Sequence, residues 1–472
     1  MEKQIKISPF TRVEGDLEID ITVKDGRVAG TRTSGTLFRN FENILRGREP
    51  EDAVVFLCRI CGTCGATHSS AASAAIRHAY GSAMPPNAAI CENIICSIEM
   101  IMSHLAHFYF SFAVDFYAPK YGPEAERRFK PFEGGSYRRA LAARKNLTPI
   151  MGLFAGKWPN TLAIQPGGCT KSVSSSEIYR ATGVLGEFER FLEDRMLGGP
   201  VDEWLRVSTV KEMEKWFAKP AARESDVGLF HSLSFANGLH KIGAGLNAYL
   251  SSGCPWAPAG FMDNGKIHPF DSKKITESAE YSFFKSDGEK RHPFEGVSDV
   301  NPDKKEAYSW CKAPRYGGRS VEVGPLARLM VAGNPLISDI HGKYGKSVFL
   351  RIIARIQEIF ILSKLIREWM GELNGDEPFY IEPARKKEAS GEGVVEAPRG
   401  TLGHWIKIED GKIKNYQVIT PTGWNFSPSD SSGSKGPLEE ALAGSEVGGD
   451  DDLINITHIV RSFDPCLFCA VH

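Results

Sequence analysis

The chain has 472 residues, 42% of them hydrophobic and 24% charged, which is ample apolar material for a large folded core. Lys and Arg total 57 against 58 Asp and Glu, a formal net charge of -1, which excludes a basic nucleic-acid binder and an acidic disordered tail. The richest apolar stretch, Ile94 to Val114, is broken by Glu99, Ser103, His104 and His107, so no membrane span is expected, and the opening MEKQIKISPF has no apolar run of secretory type.

In chain order, Leu17, Ile19, Ile21 and Val23 alternate with Glu18, Asp20 and Thr22, and Asp25-Gly26 supplies a hairpin turn into a return strand over Arg27–Thr33. A helix is predicted near Phe41 and another over the Ala-rich Ser69–Tyr80. Pro85-Pro86 breaks the chain before a long helical pattern from Asn87 to about Phe116. Further helices are predicted over Ser174–Met196, Val201–Phe217 and Ser347–Leu373. Between them, Ser252 to Gly318 reads as long connections with short strands. A second hairpin spans His404–Val418 around Asp410-Gly411. A Ser/Gly-rich stretch from Ser427 to Gly449 and a short helix from Asp450 to about Arg461 close the chain. The expected fold is mainly α with small β pieces (α+β). It is read as one domain over 1–472, with hairpin regions at 1–40 and 401–420 packed on a helical body.

Ten cysteines are too dilute for a disulfide scaffold in a chain of this length. Only two pairs have chelate spacing. Arg59-Ile-Cys61-Gly-Thr-Cys64-Gly-Ala-Thr-His68 lies near the N-terminus, and Asp464-Pro-Cys466-Leu-Phe-Cys469-Ala-Val-His472 ends the chain. Four thiolates suit zinc, an iron–sulfur cluster or another soft metal, and spacing alone does not choose among them. A structural zinc staple is the plain alternative, although zinc modules keep their pairs within tens of residues. Cys58, Cys91, Cys96, Cys169, Cys254 and Cys311 read as small buried hydrophobes. Gly243-Ala-Gly245 matches a relaxed dinucleotide fingerprint but lacks the preceding strand that would give it meaning. Asn146-Leu-Thr148 and Asn455-Ile-Thr457 fit the glycosylation pattern by chance.

The paired motifs resemble those of the large subunit of [NiFe]-hydrogenases. So do Thr11-Arg-Val-Glu-Gly15, Leu37-Phe-Arg-Asn-Phe-Glu42, Ala313-Pro-Arg-Tyr316, Glu322-Val-Gly-Pro325, Glu396-Ala-Pro-Arg-Gly400 and Tyr416-Gln-Val-Ile-Thr-Pro-Thr422. The resemblance implies heterolytic oxidation of H2 at a Ni-Fe centre whose iron carries CO and two CN ligands. Cys61 and Cys466 would then be terminal nickel ligands, Cys64 and Cys469 bridging ones, and Cys466 the thiolate that takes the proton. Glu14 would relay that proton. Arg399, after Pro398, would stand over the metals, with Thr422 donating to a cyanide, Asp464 orienting Arg399 and His68 behind a bridging thiolate. Glu42, the carbonyl of Val418 and His472 would bind Mg2+.

Two departures from the family pattern, Ser103 in place of an acidic residue and Asp16 after Gly15, point to the soluble uptake and hydrogen-sensing branches. Thr63 stands where a small aliphatic residue is common. A cytoplasmic location is expected, as is a small iron–sulfur partner subunit, because no cysteine run remains for a cluster relay. The resemblance also implies a maturation endopeptidase acting beyond His472. A hydrogen sensor and a respiratory complex I relative are the alternatives.

Overall fold

In the computed structural model, which describes residues 2–296, 298–448 and 453–472, the alternating N-terminal segment is a three-stranded antiparallel sheet. Its strands are β1 (Glu2–Ile7), β2 (Leu17–Lys24) and β3 (Arg27–Gly35). Leu17, Ile19, Ile21 and Val23 face the core, as their period of two requires, and Asp25 and Gly26 turn the chain with positive φ. The edge strand β1 is additional to the expected hairpin.

Helix α1 runs over Gly65–Tyr80, starting four residues before the predicted Ser69, directly after Cys64. A distant side chain explains the early start. Glu99 accepts the backbone N–H groups of Ala66 and Thr67, the Thr67 hydroxyl and the Trp158 indole, so it satisfies donors that no local residue caps. Glu99 lies on α2 (Pro86–Ala106), which continues through a wide turn over His107–Phe112 and a tight one over Ala113–Tyr117. This helical run is long and apolar enough to cross a membrane, yet 72% of its most apolar window is buried inside the protein. It is therefore a core helix. It packs between α3 (Gly135–Ala155) and the long central helix Val348–Glu372.

The segment α4 (Ser175–Phe191) begins with a capping box between Ser174 and Glu177, close to its predicted start. The single helix predicted over Val201–Phe217 is instead two, Val201–Trp204 and Val210–Ala218, because Thr209 caps a second start. The central helix α5 (Val348–Glu372) follows its prediction, with Ser347 as its cap. Near the C-terminus, β4 (Ala389–Ala397), β5 (Gly400–Glu409) and β6 (Lys412–Ile419) form a second antiparallel sheet. The last two strands are the predicted hairpin. Helix α6 covers Ile454–Ser462; the expected start at Asp450 lies outside the described residues. A short turn of helix, α7 (Leu467–Ala470), ends the chain. The result is the expected α+β architecture, in which α1 lies against β4 and the C-terminal loop is buried in the interior.

Candidate metal centre

Each chelate motif meets the start of a helix. Cys64, the second thiol of its pair, caps α1, and Cys466, the first of its pair, caps α7, so one sulfur of each pair sits at a helix N-terminus where backbone dipoles favour thiolate. The four sulfurs lie within 4.8 Å of one another and all four residues are buried. Cys61 and Cys466 approach to 3.5 Å, Cys64 and Cys469 to 3.3 Å, and Cys466 and Cys469 to 3.1 Å. Hydrogen bonds from Cys466, Cys469 and Cys64 hold Cys61 well below the ordinary thiol range. The same sulfur neighbours push Cys64 up. A buried tetrad of this kind is a soft-donor cage that fits a nickel–iron centre chemically.

The C-terminal loop is fixed from several sides. Glu14 accepts the N–H of Leu467 at 2.6 Å through its carbonyl, and its own N–H donates to Pro465 at 3.4 Å. Gly15 allows this approach: its φ is +83°, and a Cβ there would meet the Phe468 nitrogen at 2.8 Å. The Thr422 hydroxyl oxygen accepts the Cys466 N–H at 3.1 Å.

Arg399 is buried, with Nε donating to the Asp464 carbonyl at 3.0 Å and Nη2 lying 3.1 Å from Asp464 Oδ1. Burial opposes its charge, but Asp464 and the cysteine sulfurs beside it raise its pKa well above the ordinary arginine range. Glu14 is half-buried, which pushes its carboxyl pKa up against the pull of Arg399. Glu14, Thr63, Ser103, His107, Arg399 and Asp464 share one cavity of about 340 Å³. Ser103 Oγ, His107 Nδ1 and Asp464 Oδ2 are buried around it without a hydrogen-bond partner.

His68 stands on the first turn of α1, behind Cys64. It bonds His404 at 3.2 Å, which bonds the Tyr416 hydroxyl at 3.0 Å, and burial lowers its pKa to about 4. Glu42 and His472 do meet, at 3.3 Å, and Val418 donates its N–H to Glu42 at 2.8 Å. Together they line a small cavity of about 20 Å³ with Lys312 and Glu277.

Two supporting arginines carry no local sequence signal. Arg328, fully buried, donates to Glu358, Glu396, the Ala397 carbonyl and, at 3.2 Å, the Pro398 carbonyl, bracing the strand end that presents Arg399. Arg355 lies 3.7 Å from Asp464. Only the folded packing of α5 against the terminal loop brings these charges together.

A model of the nickel-dependent hydrogenases matches residues 39–127 and 134–472. The chain belongs to the nickel-dependent hydrogenase family. The periplasmic [NiFeSe] hydrogenase large subunit of Desulfomicrobium baculatum is 31% identical over 99% of this chain and 95% of its own length. The quinone-reactive Ni/Fe-hydrogenase large chain of Wolinella succinogenes is 27% identical over 100% and 96%. Among solved structures, the reduced, active Ni-Fe-Se hydrogenase of Desulfomicrobium baculatum superposes with a TM-score of 0.86 at 30% identity, covering all of both chains. The Ni-Fe-Se hydrogenase of D. vulgaris Hildenborough gives 0.85 at 32%, again over all of both chains.

This hydrogenase chain is thus the catalytic large subunit of an enzyme that oxidises H2 at a nickel–iron centre. The Desulfomicrobium baculatum relative is named for selenium as well as nickel and iron, whereas all four chelate positions here are cysteine. The expected cytoplasmic location is overturned, because one relative is periplasmic and another quinone-reactive. The expectation rested on Ser103 and Asp16, and two residues near the metal centre carry no compartment information, which is why it had no physical footing.

Proposed function

We propose that this hydrogenase works in the uptake direction and passes electrons to an iron–sulfur partner subunit. The observation that carries the reading is the buried tetrad of Cys61, Cys64, Cys466 and Cys469 within 4.8 Å, placed beside Arg399. Among the described residues no second cluster of metal-binding side chains accompanies it. Electrons therefore have to leave through another chain, and relatives named large subunit or large chain are consistent with that.

When bound, the nickel–iron centre supplies the binding and polarisation of H2. The chain supplies the base and the route out for the proton. Cys466 is the proton acceptor, because its loop is the one held directly against Glu14. Glu14 is the next carrier: burial raises its pKa toward the working range, where a carboxyl both accepts and releases a proton. Arg399, fixed by two bonds to Asp464, holds a positive charge beside the cysteine sulfurs and would stabilise anionic ligands on the iron. The Thr422 oxygen accepts from Cys466, which leaves the hydroxyl proton as a donor that such a ligand would take. His68 acts through His404 to brace the first turn of α1.

The Glu42–His472 contact suits Mg2+. His472 Nδ1 lies 2.7 Å from the Cys469 carbonyl and donates to it, so in the neutral ring the Nε2 lone pair faces a Glu42 oxygen. Two facing acceptors favour a cation between them, with the Val418 carbonyl as the third protein ligand. Residues 1–472 act as one domain, since backbone bonds tie the first hairpin region to the last loop.

The test is elemental analysis of the anaerobically purified enzyme, together with H2 oxidation against an artificial acceptor. About one nickel per chain with H2-dependent reduction supports the reading. Zinc alone overturns it. Nickel with slow turnover would favour a sensing role.

A further inference from the structure

The two ligand loops come from opposite ends of the chain, yet sulfurs of one approach those of the other to 3.3 and 3.5 Å. The contacts that hold the two loops together lie outside the sulfurs themselves. The backbone contacts of Glu14 and Thr422 hold only the C-terminal loop.

Arg399 reaches the Thr63 hydroxyl of the first loop at 3.5 Å and Asp464 of the second, but Arg39 bonds the backbone of both. Arg39 Nη2 donates to the Ile60 carbonyl at 2.6 Å and also to the Phe468 carbonyl, while Nη1 reaches the Arg59 carbonyl at 3.4 Å. Ile60 immediately precedes Cys61, and Phe468 immediately precedes Cys469. The guanidinium also lies between two rings, 5.0 Å from the centroid of Phe41 and 5.2 Å from that of Phe468. Phe41 opens the short helix that carries Glu42, so the clamp and the Glu42–His472 contact share one anchoring segment.

We propose that Arg39 is a positioning residue that locks the two cysteine loops in register through their backbone carbonyls, touching neither sulfur nor metal. The proposal rests on the reading of the four cysteines as metal ligands. Its rival is that Arg39 merely supplies positive charge near the sulfurs. Lysine separates the two. It keeps the charge but cannot reproduce a planar fork that spans two carbonyls and packs between two rings.

The experiment is amide hydrogen exchange by mass spectrometry on the full chain, before and after chelator treatment, for wild type, Arg39→Lys and Phe468→Leu. In Arg39→Lys, peptides covering 58–64 and 464–472 should exchange about tenfold or more faster while the helical body is unchanged. Nickel should also be lost faster to chelator. Phe468→Leu keeps the carbonyl and removes one ring, so a smaller increase confined to 464–472 is expected. It carries the test if the arginine variant does not fold. Unchanged exchange at both loops overturns the proposal in favour of a charge role, and faster exchange throughout the chain overturns it in favour of a general structural one. A wild type without nickel whose variants still open only at the two loops would sink the ligand reading and leave the clamp standing.

Discussion

Glu14 and Arg399 face the same cavity from opposite chain ends, and each has a substitution that isolates its chemistry. Glu14→Gln keeps the shape of the side chain and the backbone bonds to Pro465 and Leu467, while removing the acid. H2 oxidation should fall by about 10²–10⁴-fold with nickel content unchanged. Rates at the wild-type level would remove Glu14 from the proton route. Arg399→Lys keeps a charge but cannot bond both the carbonyl and the carboxylate of Asp464 as the guanidinium does. A loss of at least about tenfold in turnover is expected, again at full nickel occupancy. These residues were legible in the sequence only through the resemblance of Thr11–Gly15 and Glu396–Gly400 to family motifs, since neither stretch carries a chelating residue of its own. Arg328, Arg355 and Glu99 were not. Each acts on the site from a helix distant in sequence, and a charged residue in an apolar helical pattern gives no sign of which loop it will meet.

At the scale of elements, the pairing of α1 with β4 decides where the first cysteine loop sits. The alanine-rich face of α1 approaches the strand at Gly391 and Gly393. A Cβ built on Gly393 would lie 2.1 Å from the Ala71 carbonyl oxygen, and one on Gly391 would lie 2.2 Å from that of Ala75. Both obstacles are helix backbone, which cannot rotate away. Gly393→Ala should therefore destabilise the chain by about 1–3 kcal/mol through forced separation of helix and strand, read as a lower urea midpoint. An unchanged midpoint would mean the two elements can part without cost. The same glycines explain why β4 escaped the sequence reading: two of them within Ala389–Ala397 weaken a strand pattern and suggest a loop. The hairpin β5–β6 was legible because its turn, Asp410-Gly411, carries the positive φ values that an Asp-Gly turn announces. The early start of α1 was hidden because its capping group, Glu99, comes from another helix.

Across the whole molecule, the buried histidines contribute to the response to acid. Burial lowers the pKa of His68, His104 and His458 to about 4 and that of His107 to about 3, against 6.5 for a free imidazole. These rings are neutral in the folded chain. Their contribution to stability is complete above pH 6.5 and is lost as pH falls through 6.5 toward 4, because the unfolded chain takes up protons that the folded chain refuses. Glu99 and Glu439 act in the opposite sense. Burial raises each to about 7, so their contribution is complete below about 4.5 and is lost as pH rises through 7. Burial raises Glu14, Glu92, Asp226 and Glu277 as well, so acids and histidines oppose each other over this range and the histidine contribution is read one ring at a time. His458 offers the cleanest check, since it lies away from the cysteines, bonding Tyr121 at 3.0 Å and facing Asp115 at 3.8 Å. His458→Gln keeps a polar partner for Tyr121 and cannot titrate. The difference in urea midpoint between pH 5 and pH 7 should be smaller in the variant than in wild type. Equal differences in both proteins would mean that His458 is charged in the folded chain at pH 5, held by Asp115 rather than neutralised by its burial.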